Sequence, residues 1–204
     1  MRHKATIVGL VLASSVGTAR AQDPVPTAAE VVAPPAASER RIEVVLSLLP
    51  MGMGKYQSAP GGHPMTADAA FSYGAALQAS FAILPELTVG LAPQVFYNVK
   101  AKEDPAAGSR QVDLMARVAY TLHLVDTIGV YAEVLPGYSL ISPPGGGDLS
   151  RGPVVAFGVG ALMELTDRVF ANLGVGYEVG FQKTRVSETR TRYVRLALGV
   201  GARF

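Results

Sequence analysis

A two-residue alternation of apolar and polar positions recurs along most of the chain, and it is clearest in the last residues. Every second residue from Val194 to Phe204 is apolar, and the positions between them are glycine, alanine or arginine. Successive side chains of a β-strand point to opposite faces, so this pattern predicts a terminal strand with one continuous apolar face. Parity alone leaves open whether that face packs inside a soluble barrel or points outward into lipid.

The same alternation occurs in eight segments, and in each of them one face is free of charged, amide and hydroxyl groups other than those of tyrosine. The segments are residues 42–48, 71–83, 87–99, 112–122, 128–140, 155–163, 169–181 and 194–204. The opposite face of each segment holds polar, charged or small residues. We therefore predict an all-β fold, an eight-stranded antiparallel up-and-down barrel.

The lengths of the segments and their connections favour a barrel that spans a membrane. Most of the segments are long enough to cross an apolar band when the strands are tilted by about 45°. Short connections alternate with long ones, as in outer-membrane barrels. The short ones are predicted at 84–86, 125–127 and 165–168, and the long ones at 50–69, 100–110, 141–152 and 183–191.

Aromatic residues on the apolar faces gather near both ends of the predicted strands. Those toward the long loops are Phe71, Tyr73, Tyr97, Tyr138, Tyr177 and Phe181, and those toward the short turns are Phe81, Tyr120 and Phe204. Two such bands are typical of the two interfaces of a membrane. A soluble core gives no reason for this distribution, so we expect the apolar faces to point into lipid.

Residues 41–204 resemble the small eight-stranded outer-membrane β-barrels of the OmpA-transmembrane-domain and OmpX kind. The end of the chain, with Leu198, Val200 and Phe204, is similar to the C-terminal signal that such proteins present to the outer-membrane assembly machinery. The resemblance implies the outer membrane of a Gram-negative-type cell. It also implies that the N-terminus and short turns are periplasmic and the long loops extracellular.

The first forty residues differ in character from the rest. A basic start at residues 1–4, an apolar run at 5–16 and the motif Ala19-Arg20-Ala21 predict a signal peptide, residues 1–21, that is cleaved from the protein. Residues 22–40 are rich in proline and alanine without an apolar period, so we expect a disordered periplasmic tail.

Charge and cysteine content exclude several classes of function. Residues 1–21 hold three of the 18 lysines and arginines and none of the 16 acids, so the remaining chain has a net charge of about −1. Without a basic excess, we do not expect a nucleic-acid partner. The chain has no cysteine, so disulfides and thiolate chemistry are excluded. A soft-metal site at Met51, Met53, His63 and Met65 is a weak alternative to a plain loop, and we expect no cofactor and no metal.

Charged residues on the inward faces suggest ion pairs in the barrel interior. A turn centred between residues 125 and 126 places Arg117 opposite residue 134 and beside Glu133, and a turn near residues 186 and 187 places Glu178 opposite Arg195. Glu43 and Arg203 fall at the same rim on the two strands that must pair to close the barrel. Such pairs form either a polar plug or the gate of a narrow pore. We expect the plug.

Basic residues in the long loops are candidates for recognition. Seven of them are brought to one rim: Lys100, Lys102, Arg110, Lys183, Arg185, Arg190 and Arg192. They could bind lipopolysaccharide phosphates, contact an unknown surface partner, or simply be solvated.

The two histidines after the signal peptide, His63 and His123, belong to no recognisable Ser-His-acid arrangement. We therefore expect a non-enzymatic barrel with a structural or surface-interaction role. A narrow gated pore for ions or small solutes is the main alternative, and an outer-membrane hydrolase is a third.

Overall fold

The alternating segments form the strands of one antiparallel sheet in the computed structural model, which describes residues 42–60, 65–185 and 187–204. The predicted signal peptide, the predicted tail, residue 41 and His63 lie outside the described residues. Within the described residues, no helix is long and apolar enough to cross a membrane.

Ten strand segments follow one another along the chain. They are β1 (Ile42–Pro60), β2 (Met65–Asp68), β3 (Ser72–Ala82), β4 (Leu87–Leu91), β5 (Gln94–Val99), β6 (Ser109–Val125), β7 (Ile128–Ser142), β8 (Ser150–Glu164), β9 (Val169–Lys183) and β10 (Ser187–Arg203).

These segments close into a ring of eight strands. Strand β1 pairs with β3 on one side and with β10 on the other, so the sheet has no free edge around the ring. Strands β4 and β5 occupy one position between β3 and β6. Pro93, which has no N–H to donate, interrupts this position. Backbone bonds from Ala92 N to Met115 O (2.8 Å) and from Leu77 N to Pro93 O (3.1 Å) continue the pairing across the gap. The predicted fold class is confirmed.

The outer surface of the ring is apolar, as the alternation predicted. Its exposed large side chains come from every strand position of the ring and include Leu46, Leu77, Leu91, Leu114, Val130, Val159, Leu173 and Leu198. The nine aromatic residues of the two predicted bands are exposed as well. Exposure of so much apolar surface in a closed sheet is what a membrane-spanning barrel requires.

The long loops are shorter than the sequence predicted because several strands continue beyond the apolar band. Strand β1 runs on to Pro60, and β9 and β10 are separated only by residues 184–186, not by the predicted loop 183–191. The extra pairs involve polar residues such as Thr189 and Arg192, which carry no apolar face to mark a strand. Their backbone groups still pair, since a ladder continues wherever two extended chains remain in register.

Two irregularities change the parity of the strands. Asn98 has a left-handed backbone (φ 62°), the register shifts between Phe96 and Val99, and Val99 points inward with 1% of its surface exposed. The alternation of segment 87–99 predicts Val99 on the lipid face, and this prediction is wrong. A second shift lies between Met51 and Met53, where β1 passes from its apolar to its polar half.

The barrel interior is more apolar than the sequence suggested. One buried cluster contains Leu49, Met51, Phe96 and Tyr193, each with no more than 1% of its surface exposed. Two further clusters lie around Met115 and Leu135 and around Tyr131 and Phe170. The interior is thus filled by both polar and apolar side chains, not by polar and charged ones alone.

Candidate sites in the lumen and at the two rims

Glu133 is the centre of a network of charged groups inside the barrel. Its Oε2 accepts a hydrogen bond from Arg117 Nε at 2.7 Å, and its Oε1 accepts one from Arg195 Nη2 at 3.3 Å. All three side chains are largely removed from solvent, so the two guanidinium groups compensate the buried carboxylate. The structure therefore brings the predicted neighbours Arg117 and Glu133 together.

The strand registers that place these residues differ from the predicted ones. Residue 134 pairs with Val118, whereas its predicted partner was Arg117. The pairing register of β6 and β7 also shifts between His123 and Val125, next to the turn. Glu178 lies opposite Tyr193 because the last hairpin is centred between residues 185 and 186, one position earlier than predicted. Arg195 still approaches Glu178 diagonally, with Nη1 4.0 Å from Oε2.

Arg195 also reaches across the lumen to β5. Its Nη1 donates to Gln94 Oε1 at 3.0 Å, so one side chain joins β10, β5 and β7. The amide nitrogen of Gln94 in turn donates to Glu178 Oε2 at 3.1 Å and to Asp113 Oδ2 at 3.3 Å. The contact of Gln94 with Asp113 is between paired strands, whereas its contacts with Arg195 and Glu178 join strands that are not neighbours in the sheet.

Asp113 and Glu178 share a second amide donor. Gln111 Nε2 lies 2.9 and 3.1 Å from the two oxygens of Asp113 and 3.2 Å from Glu178 Oε1. The alternation places Asp113, Gln94 and Glu178 on the inward faces of their strands, but it does not show that Asp113 and Gln94 converge on this site. Gln111 also points inward, although it precedes the alternating segment 112–122.

The network contains more carboxylates than arginines. Asp113, Glu133 and Glu178 face Arg117 and Arg195, and Asp113 and Glu178 are fully buried. Ser139 lies directly opposite Asp113 in the ladder, and its hydroxyl is fully buried. The side of the network formed by Asp113 and Glu178 is therefore the less well compensated one.

A separate group of charged residues links the first and last strands, β1 and β10, at the short-turn rim. Arg203 Nε donates to Glu43 Oε1 at 2.7 Å, and Arg203 Nη1 donates to Glu164. The guanidinium also lies 4.6 Å above the ring of Phe170. Glu164 was not among the predicted partners, because the relation between β8 and the closing strands depends on the whole ring.

Backbone hydrogen bonds complete the closure at the same rim. Phe204 N donates to Ile42 O at 2.9 Å, and Ile42 N donates to Phe204 O at 3.1 Å. The Phe204 side chain remains 76% exposed. Leu198 and Val200 are exposed on the same face of β10, so the three residues of the predicted assembly signal form one apolar row.

The basic residues of the long-loop rim have different surroundings. Lys100 Nζ donates to two carbonyls of its own loop, those of Asp104 and Ala106, while Arg110 stacks 5.6 Å from the centre of the Tyr97 ring. Arg190 stacks 5.7 Å from the centre of the Phe181 ring. Lys102 and Arg185 are exposed.

Lys183 pairs with Glu188 across the last hairpin, with Nζ 2.6 Å from Oε1. The hydrogen bond and charge of Lys183 lower the pKa of Glu188. Both groups lie on the polar extension of the hairpin, so this pair orders the rim rather than the lumen.

His123 is exposed near the short turn between β6 and β7. Among residues 42–60, 65–185 and 187–204, no group of three or more acidic or histidine side chains is placed to hold a metal ion.

No family model matches the sequence, and no curated protein matches it either. Solved structures do match. Neisserial surface protein A is 17% identical with a TM-score of 0.55, and the match covers 80% of this chain and 97% of that one. The outer membrane protein OprG from Pseudomonas aeruginosa is 13% identical with a TM-score of 0.55, with 81% and 96% covered. Together with the closed ring and its apolar outer surface, these likenesses show that the chain has the fold of the small eight-stranded outer-membrane β-barrels.

Proposed function

We propose that this protein is a closed, non-enzymatic outer-membrane barrel with a structural or surface-interaction role. The observation that carries the proposal is the reach of Arg195, whose guanidinium contacts Gln94 and Glu133 on two other sides of the ring. An eight-stranded barrel is just wide enough for its side chains to fill. A side chain that crosses such a lumen blocks it.

The apolar cluster in the lumen forms a second barrier to water and ions. Leu49, Met51, Phe96 and Tyr193 are buried on the inner surfaces of β1, β5 and β10. Packed apolar side chains exclude water and ions even where no charge pair is present. We therefore expect the lumen to stay closed when the charged network is weakened.

Conductance in planar lipid bilayers tests the proposal. The purified protein should show little or no ion conductance, and a Glu133→Ala/Arg195→Ala variant should also remain closed because the apolar cluster is intact. A gated pore predicts the opposite, namely discrete channel steps that become larger or more frequent in the variant. Regular steps from the unmodified protein would reject the closed barrel.

The same proposal places the protein in an outer membrane with its long loops outside the cell. Absence of native cysteine allows single-cysteine labelling in whole cells. Asp104→Cys, in the loop after β5, should react with a membrane-impermeant maleimide in intact cells. Asp126→Cys, in the turn after β6, should react only after lysis. Labelling of Asp126→Cys in intact cells, with Asp104→Cys reacting only after lysis, would show the opposite orientation of the barrel.

A further inference from the structure

A groove on the outer surface of the barrel combines apolar and basic residues at the long-loop rim. It has a volume of about 700 Å³ and lies over β1, between β10 on one side and the start of β3 on the other. We call it the rim groove. Its apolar wall contains Met53, Phe71, Tyr177 and Val194, and its basic edge contains Lys55, Lys102 and Arg192.

The strand register separates these two kinds of residue into rows. Met53 pairs with Val194, which pairs with Tyr177 on β9. Two residues further toward the loops, Lys55 pairs with Arg192. Residues two apart on a strand share a face, so the basic row lies directly above the apolar row on the outer surface.

Glycine and the irregularity in β1 provide the space. Gly52 lies at the register shift, and a Cβ there would be in contact with the Phe71 ring at 3.5 Å. Gly54, between the outward-facing Met53 and Lys55, faces the lumen, where a Cβ would lie 2.9 Å from the Tyr193 ring. Gly52 adds no side chain on the outer face, so part of the groove floor is backbone, which allows a ligand to approach between the Phe71 and Tyr177 rings.

The basic edge carries excess positive charge. Lys55 Nζ lies 2.5 Å from Asp68 Oδ1, and this contact lowers the pKa of the Asp68 carboxyl, so the two charges largely compensate each other. Lys102 and Arg192 have no carboxylate within 4.0 Å in the described part of the chain. The groove thus presents about two uncompensated cations above an apolar wall of which Met53 is 72% exposed.

We infer that the rim groove binds a phosphorylated, acylated glycolipid of the lipid A class. Acyl chains would lie against the apolar row, and the phosphates would pair with Lys102 and Arg192. Charge complementarity favours a lipid with two phosphates over an anionic phospholipid with one. This inference deepens the surface-interaction role of the proposed function and uses its outward orientation of the rim, but it does not depend on whether the barrel conducts.

Native mass spectrometry of the folded full chain in detergent measures this binding directly. Diphosphorylated lipid A is titrated onto the protein in the presence of excess phosphatidylcholine. Because each charge-assisted contact at an exposed site contributes modestly, Lys102→Gln/Arg192→Gln should weaken binding by about tenfold. The matched control, Arg110→Gln/Arg190→Gln, removes the same charge from the same rim outside the groove and should change binding by less than about twofold.

Equal losses of lipid A binding in the two double variants would show diffuse attraction to a basic rim. That result would overturn the assignment of the binding site to the rim groove. Dephosphorylated lipid A and phosphatidylglycerol should each bind more weakly than diphosphorylated lipid A, and equal binding by either lipid rejects the assigned ligand. Val194→Ser should weaken binding of lipid A through the apolar row. Circular dichroism confirms that each variant remains folded, and the conductance test of the closed barrel is unaffected by any of these results.

Discussion

Arg195 and Glu133 form an ion pair between strands that are not adjacent in the sheet, with Nη2 3.3 Å from Oε1 inside the lumen. Glu133 also accepts a hydrogen bond from Arg117, so one carboxylate contacts both buried guanidinium groups, while Glu178 is a more distant partner of Arg195 at 4.0 Å. Removing one partner of a buried pair leaves an uncompensated charge, which costs more than the pair itself contributes. Glu133 is therefore the residue on which the stability of the network depends most.

Glu133→Gln should lower the free energy of unfolding by about 3 kcal/mol, because two arginines lose their common counter-charge in a buried site. The amide preserves the shape of the side chain, so the effect reports charge and not volume. Urea titration of the folded protein in detergent, followed by the shift of the folded band on an unheated gel, measures the change. An unfolding midpoint equal to that of the unmodified protein would show that the arginines have other compensation.

Asp113→Asn should have the opposite sign and raise the free energy of unfolding by about 1 kcal/mol. It removes a carboxylate from the side of the network that has too few cations, and the new amide can donate to the hydroxyl of Ser139, which lies directly opposite. The same urea titration compares it with Glu133→Gln, which is also a carboxylate-to-amide change. Destabilisation by both variants would mean that the charge balance of the two sites is the same.

Tyr131 tests the packing of the inner wall. A Cβ added at Gly174 would lie 2.4 Å from the Tyr131 hydroxyl. The next nearest atom, the carbonyl oxygen of Val159, would be 3.4 Å away. Gly174→Ala should therefore destabilise the barrel by about 1 to 3 kcal/mol, and Tyr131→Phe should remove most of that penalty by deleting the hydroxyl. The unfolding midpoints of the single and double variants measure the coupling.

Gly160 provides the control for this pair. A Cβ there meets the backbone carbonyl of Leu173 at 2.4 Å as well as the Tyr131 ring. Tyr131→Phe should therefore leave Gly160→Ala as destabilising as before. Equal rescue at both glycines would contradict the assignment of the clash at Gly174 to the hydroxyl.

Phe204→Ala should reduce the amount of protein in the outer membrane while leaving refolding in detergent nearly unchanged. The side chain is exposed and makes the end of the predicted assembly signal, whereas the backbone bonds to Ile42 are retained. Outer-membrane fractionation with immunoblotting measures the first effect and the heat-modifiable gel shift the second. Tyr120→Ala removes an aromatic side chain from the same rim and should have little effect on either quantity. Normal outer-membrane levels of the Phe204→Ala variant would show that Phe204 is not part of an assembly signal.

The lipid face could be predicted from the sequence because the membrane imposes an unbroken apolar row on each strand. Leu173 and Leu198 were placed correctly by parity alone. The inner face follows no such rule, since polar Gln111 and apolar Phe96 are equally buried there. Local alternation therefore identifies which side faces lipid but not what fills the lumen.

Turn centres did not fix the strand registers, since the pairing partners predicted for residue 134 and for Glu178 are displaced by one and by two positions. Polar pairs such as Thr189 with Gln182 extend the last hairpin without any apolar signal, and the shift at Asn98 depends on one backbone conformation. Contacts across the ring, such as Arg195 with Gln94, depend on the stagger of all eight strands. That stagger is a property of the closed barrel and not of any single segment.

The two hydrogen bonds between Ile42 and Phe204 join the beginning and the end of the barrel, which are its most distant parts in sequence. The entropy of closing so long a loop must be met before this last pairing contributes any stability. Barrel closure can therefore be completed only after Phe204, which pairs with Ile42, has been synthesised. The same proximity allows the two ends to be linked and new termini to be opened at the turn after β6, giving a circularly permuted barrel with an unchanged ring of strands.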